Sequence, residues 1–417
     1  MVFDRRRRVD EKTRMNALME VGRVFSPGAP IDQQDLFAGR LPQVERVIDA
    51  VNGKGQHIAI FGEKGVGKTS FSNTLKEIFS TQIPLVVKVN CDESDDFSTM
   101  WHKAFGEIEY VEEKNRIGFR PRRSLKTKTL AENLEKNVVP DAVRKCLQLV
   151  GHSIVIFDEF DRVGKPVTNR LMADTIKNLS DNGIRATILL VGVADTVDGL
   201  FAEHKSIDRS LSEIEMPRMS RAELEEIVTK AHGKLLVPMK IDEDALDLIV
   251  LLSQGLPHYT HLLAMHATKV AIKADRGTVN LEDFHNGLEA SLSDTKQTIR
   301  NAYQQAIASQ RQGTLYKQVL LACALADVND LGFFISANVR DPLCQITGKQ
   351  YDIPNFSQHL NAFSSADRGR ILEKRGTTRR FQFRFENPLL QPYIIMRGLK
   401  EGMLEGKLRT LLENSRR

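Results

Sequence analysis

Gly62-Glu63-Lys64-Gly65-Val66-Gly67-Lys68-Thr69 is the stretch on which the reading of this chain turns. An apolar run, His57-Ile58-Ala59-Ile60-Phe61, precedes it and reads as a buried strand. Ser70 to Phe79 follows with apolar residues at helical spacing. A glycine-rich turn between a buried strand and a helix start is a phosphate cradle. Its glycines let successive backbone N–H groups turn inward on phosphate oxygens, and the helix N-terminus adds partial positive charge. Lys68 is expected to reach the β- and γ-phosphates and the Thr69 hydroxyl to ligate Mg²⁺. Glu63, Lys64, Val66 and Ser70 complete the loop around the expected nucleotide, ATP.

A second buried-strand run, Ser153-Ile154-Val155-Ile156-Phe157, ends in Asp158-Glu159-Phe160-Asp161. An acid at a strand tip beside a phosphate loop can hold Mg²⁺ through water, and that role is assigned to Asp158. The next acid, Glu159, is placed to polarise an attacking water as general base. With both elements in the right chain order, hydrolysis of the bound triphosphate is expected.

The 417 residues exceed one ordinary core and imply two or three domains. Hydrophobic content of 41% and charged content of 27% are those of a soluble globular protein. No apolar stretch reaches the length of a membrane span. The N-terminus, with Arg5-Arg6-Arg7-Arg8, lacks a signal-peptide core. A cytoplasmic location without a membrane partner is therefore expected. Cys91, Cys146, Cys323 and Cys344 show neither metal-ligand nor redox spacing, which fits reduced thiols. The net charge of +5 is unevenly spread. One basic run extends from Lys114 through Arg116, Arg120, Arg122, Arg123 and Lys126 to Lys128. Another extends from Arg368 through Arg370, Lys374, Arg375, Arg379 and Arg380 to Arg384. Such clusters attract polyanions, though a solvated face is the commoner meaning of any one run.

Strand candidates at His57–Phe61, Pro84–Asn90, Ser153–Asp158, Ala186–Gly192 and Glu213–Met216 alternate with helices. The alternation predicts an α/β fold with a parallel five-stranded sheet. Gly106 to Thr129 reads as a long insertion without an apolar pattern of its own. After Pro217 the pattern is helical, and Ser220-Arg221-Ala222-Glu223 is a capping box for a helix over 222–234. Three helices from about Thr314 lead to two strand-like runs, Arg370–Glu373 and Arg380–Phe385, which is the order of a winged helix. The expected organisation is a basic helical arm over 1–30, a nucleotide-binding α/β domain over 31–217 and a helical lid over 218–300. A winged-helix domain and C-terminal helix occupy 301–417.

On these motifs the chain resembles an AAA+ ATPase of the origin-recognition/initiator-like branch, near the transposition-regulator and STAND-type ATPases. Phe37-Ala38-Gly39-Arg40 resembles the entry box that lies near the adenine, which implies a nucleotide contact for Arg40. Gly62 to Thr69 matches the Walker-A loop and Asp158-Glu159 the Walker-B pair. The resemblance places Asp195 at the sensor-1 position, either positioning water or capping the next helix. It places Arg209 at the arginine finger, reaching a neighbouring subunit's nucleotide, with a local ion pair to Asp208 or Glu213 as the alternative. At the sensor-2 position stands His258 in place of arginine, with a phosphate contact or plain packing open to it. A shared site implies self-assembly into a ring or filament.

The winged helix admits three roles. A double-stranded DNA reader would use the helix around Asn355–Asn361, with Ser357, Gln358, His359 and Asn361 outward and Phe356, Leu360 and Phe363 in the core. The wing, with Arg375, Arg379 and Arg380, and the insertion would supply phosphate contacts. Alternatively the domain is the regulatory lever of a STAND-like ATPase, or the protein is an ATP-dependent scaffold that recruits an effector protein.

Overall fold

The structure, a computed structural model, describes residues 11–27, 39–115, 123–194, 207–309, 313–329, 331–377 and 380–404, with backbone alone at 112–115, 123–126 and 208. Asp195, Phe37, Ala38, Arg5 to Arg8, Arg116, Arg120, Arg122 and Arg379 lie outside the described residues. Two compact units result: residues 30–63 with 67–217, and residues 1–29 with 64–66 and 218–417. The first described helix, α1 (Glu11–Val24), belongs to the latter.

In the α/β unit, α2 (Leu41–Asn52) leads to β1 (His57–Gly62), α3 (Lys68–Ser80), β2 (Leu85–Asn90) and α4 (Phe97–Gly106). A hairpin of β3 (Glu109–Asn115) and β4 (Arg123–Thr129) follows. Then come α5 (Pro140–Val150), β5 (Ser153–Asp158), α6 (Pro166–Asp181), β6 (Ala186–Val193) and β7 (Leu211–Glu215). The sheet order is β2-β5-β6-β1-β7, every pairing parallel. Every residue of β1 and β5 is buried, because a parallel sheet is covered on both faces, and this is why those runs are continuously apolar. Around Trp101 of α4, Phe105 stacks at 5.3 Å and Phe157 of β5 meets it edge-on at 5.1 Å. His57 opens β1 fully buried, and its Nδ1 accepts the Ile188 N–H at 3.0 Å. Desolvation pulls its pKa to about 3, so the ring is neutral, as an acceptor must be.

The five-stranded parallel sheet is as the alternation predicts. The insertion is not. Where a patternless loop was expected, β3 and β4 pair antiparallel from Glu109↔Thr129 to Asn115↔Arg123. Period-2 alternation is hidden there because charged and polar residues occupy both faces. The register also sets Glu112 opposite Lys126, so this basic run faces an acid-bearing strand.

The other unit adds α7 (Arg221–Lys234), α8 (Glu243–Ser253), α9 (Pro257–Lys273), α10 (Leu281–Asp294) and α11 (Gln297–Ile307). The Ser220 capping box forms: the Ser220 N–H donates to Glu223 Oε2 at 2.8 Å. Helices α9 and α10 cross at Gly287, where a Cβ would stand 2.9 Å from the Ala267 nitrogen. Between α7 and α8 lies β8 (Lys240–Ile241), which pairs parallel with β9 (Thr278–Val279) between α9 and α10; α12 (Tyr316–Ala324) then leads to the last module. That module contains β10 (Phe334–Ile335), α13 (Ser336–Thr347), α14 (Ile353–Phe363), β11 (Leu372–Arg375) and β12 (Gln382–Phe385), closed by α15 (Leu390–Lys400). The strands form an antiparallel sheet in the order β10-β12-β11, the winged-helix arrangement. Phe334, Phe356, Leu360, Phe363, Phe383 and Phe385 fill its core.

Candidate nucleotide site

The loop after β1 is possible only with glycine at its first turn. Gly62 has φ +152°, and a Cβ there would lie 2.4 Å from the Met216 carbonyl oxygen. Gly65 and Gly67 also take positive φ, 92° and 96°. At the start of α3, Lys68 is 8% exposed, and its Nζ donates to the carbonyls of Gly62 and Glu63, each at 2.9 Å. Desolvation lowers its pKa from 10.5 to about 8, against the raising fields of Asp161, Asp158 and Glu63. A buried ammonium with a depressed pKa, folded onto its own loop's carbonyls, is a cation short of an anion. That donor set fits a phosphate.

The tip of β5 reaches the same helix. Asp158 is 2% exposed; Ser72 Oγ stands 2.9 Å from its Oδ2 and equally 2.9 Å from the Thr69 carbonyl oxygen. Asp158 Oδ1 accepts the Glu159 N–H at 3.0 Å. On Oδ2 a second cation is engaged: Lys88 Nζ of β2 lies 2.9 Å away and also donates to Asn73 Oδ1. Asp161 returns to the sheet, its Oδ1 accepting the Val193 N–H at the end of β6 at 2.9 Å. Glu159 is left-handed at φ 57°, 49% exposed, and paired to Arg162 at 2.9 Å.

Lys68, Thr69 and Asp158 are thus brought to one neighbourhood, with Glu159 one residue beyond. Thr69 is half-buried in the first turn of α3, and the Ser70 carbonyl accepts Thr74 Oγ1 at 3.1 Å. Arg40 is buried, left-handed at φ 65°, and donates to the Pro217 carbonyl at 2.6 Å. Arg209 is 79% exposed. It forms an ion pair with Asp181 at 3.4 Å. His258, at the start of α9, donates its Nδ1–H to the Pro27 carbonyl, and burial holds its pKa below the ordinary value. That opposes a contact made by a protonated ring.

Four residues escaped the sequence reading: Ser72, Asn73, Lys88 and Asp161. Ser72 lies one helical turn after Lys68, which puts both on one face. Lys88 interrupts Leu85-Val86-Val87-Lys88-Val89, and a charge on a side chain this little exposed demands a partner.

In the winged helix the expected outward His359 is instead 7% exposed, its ring 4.7 Å edge-on from Tyr316. Most of the second basic run is internally engaged. Arg368 donates to the carbonyls of Ala306 (2.6 Å) and Ala308 (2.7 Å) and covers the Tyr316 ring at 3.4 Å. Arg375 and Arg384 share Glu373, at 2.5 and 2.7 Å. Lys374 donates to Asn361 Oδ1 at 2.7 Å and lies over Phe381.

A parallel sheet in this order, with a glycine loop on one strand tip and an acid on another, is the P-loop nucleotide-binding arrangement. Residues 51–200 match the family model described as an AAA domain. Among solved structures, the Walker-type ATPase PABY2304 of Pyrococcus abyssi is similar in fold, at TM-score 0.50 and 14% identity, over 89% of this chain and 99% of that one. The Aeropyrum pernix ORC1 protein in complex with DNA aligns at TM-score 0.47 and 15% identity over 93% and 97%. Thermotoga maritima RuvB R170A aligns at 0.45 and 14% over 84% and 94%. No curated protein matches in sequence. The expectation of an AAA+ fold is borne out. Among the described residues no helix is long and apolar enough to cross a membrane.

Proposed function

We propose that this chain is an ATP-binding and ATP-hydrolysing AAA+ protein of the origin-recognition-like branch that assembles with itself and acts on duplex DNA. The observation that carries the reading is Ser72. Its hydroxyl ties the Asp158 carboxylate to the helix bearing Lys68, so cation and acid serve one bound phosphate chain. Lys68 and the loop amides would hold the β- and γ-phosphates, while Thr69 and Asp158 would hold Mg²⁺, which would supply neutralising charge to the phosphates. Glu159, released from Arg162, accepts the proton of the attacking water. The exposed Arg209 supports a role in a neighbouring subunit's site.

For DNA the supporting surface is smaller than the basic run implies. It is the exposed face of α14 with Asn355, Gln358 and Asn361, three residues apart, beside Lys374, together with the exposed Arg370 and Arg380. A second reading, the winged helix as a regulatory module, is favoured by one observation: Glu373 already occupies two of the wing arginines.

ATP turnover measured against protein concentration, with and without duplex DNA, tests the proposal. Turnover rising faster than linearly with protein and stimulated by duplex is expected. Linear turnover indifferent to DNA would overturn both self-assembly and the nucleic-acid partner. ATP binding retained by Lys68→Ala would overturn the site.

A further inference from the structure

Lys88 has no part in the roles assigned above, yet it is the nearest cation to the acid on which they depend. Its side chain is 9% exposed and that of Asp158 2%, with 2.9 Å between Nζ and Oδ2. Strand register explains the meeting. In the β2–β5 pairing Lys88 is the Cα partner of Ile156 and Asn90 the partner of Asp158, so positions 88 and 90 face the same side of the sheet as Asp158. From α3, Asn73 fixes the ammonium from its other side. The Asp158 carboxylate is consequently engaged from within the chain on both oxygens: the Glu159 N–H on Oδ1, and the Ser72 hydroxyl and Lys88 ammonium on Oδ2.

An isolated carboxylate at a Walker-B strand tip would be a full negative charge, available to a hydrated divalent cation. Here that charge is neutralised by an ammonium built into the neighbouring strand. We infer that Lys88 is an internal counter-ion of the nucleotide site: it positions Asp158 and makes nucleotide binding only weakly dependent on Mg²⁺. The inference rests on the proposed nucleotide site and concerns its regulation. The buried geometry makes the effect large, because opposite charges in contact away from water interact far more strongly than exposed ones. Mg²⁺ approaching Asp158 meets a neutral pair, and without Mg²⁺ the same pairing spares the phosphates the repulsion of a bare carboxylate.

The test is affinity, measured by fluorescence of a slowly hydrolysed ATP analogue in EDTA and in saturating Mg²⁺. For the wild-type protein the two affinities are expected to agree within about tenfold; a larger gap overturns the inference without any variant. Lys88→Gln keeps a hydrogen-bond donor and removes the charge. It should lower affinity in EDTA and widen the gap by about tenfold or more, whereas Lys88→Arg should retain the wild-type gap. If Lys88 served folding alone, both affinities would fall together and the gap would stay unchanged, which overturns the proposal. Should Lys88→Gln not fold, the wild-type comparison and Lys88→Arg decide. Failure of the site itself reads differently: the wild-type protein would then bind no analogue in either condition.

Discussion

Replacing Lys68 with methionine separates two opposed consequences of one ammonium. Lys68 is 8% exposed and donates to two loop carbonyls. Burial lowers its pKa from 10.5 to about 8; at about 1.4 kcal/mol per pH unit the charged form costs the fold about 3 kcal/mol. The sign follows from proton binding. The unfolded chain holds this proton more tightly, so stability rises as pH climbs from about 8 to 10.5, and the full cost is present below that window. Methionine occupies similar volume without charge, but it leaves two carbonyls without their donor, at about 1–2 kcal/mol. Near pH 7, without nucleotide, the variant should therefore equal the wild type or exceed it by up to about 2 kcal/mol. Near pH 10 that advantage should vanish or reverse. With ATP the ranking inverts, because a ligand at a hundredfold excess over its Kd adds about 2.7 kcal/mol to a protein that binds it. Urea unfolding at both pH values, with and without ATP, provides the comparison. A variant destabilised by more than about 2 kcal/mol near pH 7, or one that retains the gain from ATP, refutes the picture of a buried cation kept for an anion.

Glu159→Gln should bind ATP normally and lose turnover by about a hundredfold or more; single-turnover phosphate release near the wild-type rate would remove Glu159 from the chemistry. Arg209→Ala, at a position 79% exposed, should leave thermal stability within about 0.5 kcal/mol. It should also abolish the dependence of specific activity on protein concentration, and a variant with unaltered dependence would return Arg209 to its pairing with Asp181. Glu373→Gln should remove the carboxylate shared by Arg375 and Arg384, tightening duplex binding and steepening its logarithmic salt slope by about 1–2. An unchanged slope in fluorescence anisotropy would remove the wing from the phosphate backbone and favour the regulatory role.

Which features the sequence discloses depends on whether their cause is local. β1 and β5 are legible because burial on both faces leaves an unbroken apolar run. β10 is not, since its two residues are too few to carry any period. The β3–β4 hairpin escapes for a different reason: pairing through backbone hydrogen bonds needs no apolar face, so its polar residues look like a loop. At the site, Lys68 and Asp158 are legible from flanking context, but Lys88 needs the register of a strand about seventy residues away in sequence to acquire meaning.

Charge is where local reading misleads most. Residues 368 to 384 form a basic run when counted along the chain, and electrostatics treats a run as a field only if its members face solvent unpaired. Arg368 finds its acceptors at the end of α11, 60 and 62 residues earlier, and the tight spacing of β11 and β12 lets one carboxylate, Glu373, hold two guanidinium groups. These pairings subtract from any outward field, leaving the exposed Arg370 and Arg380 and the amide side chains of α14 as the surface with contact chemistry. The same logic applied inward identifies Lys88, since a charge on a buried side chain cannot be a field for solvent and must answer to an acid within the sheet. Counting residues gives the number of charges; only the register and helix ends determine which of them another molecule can use.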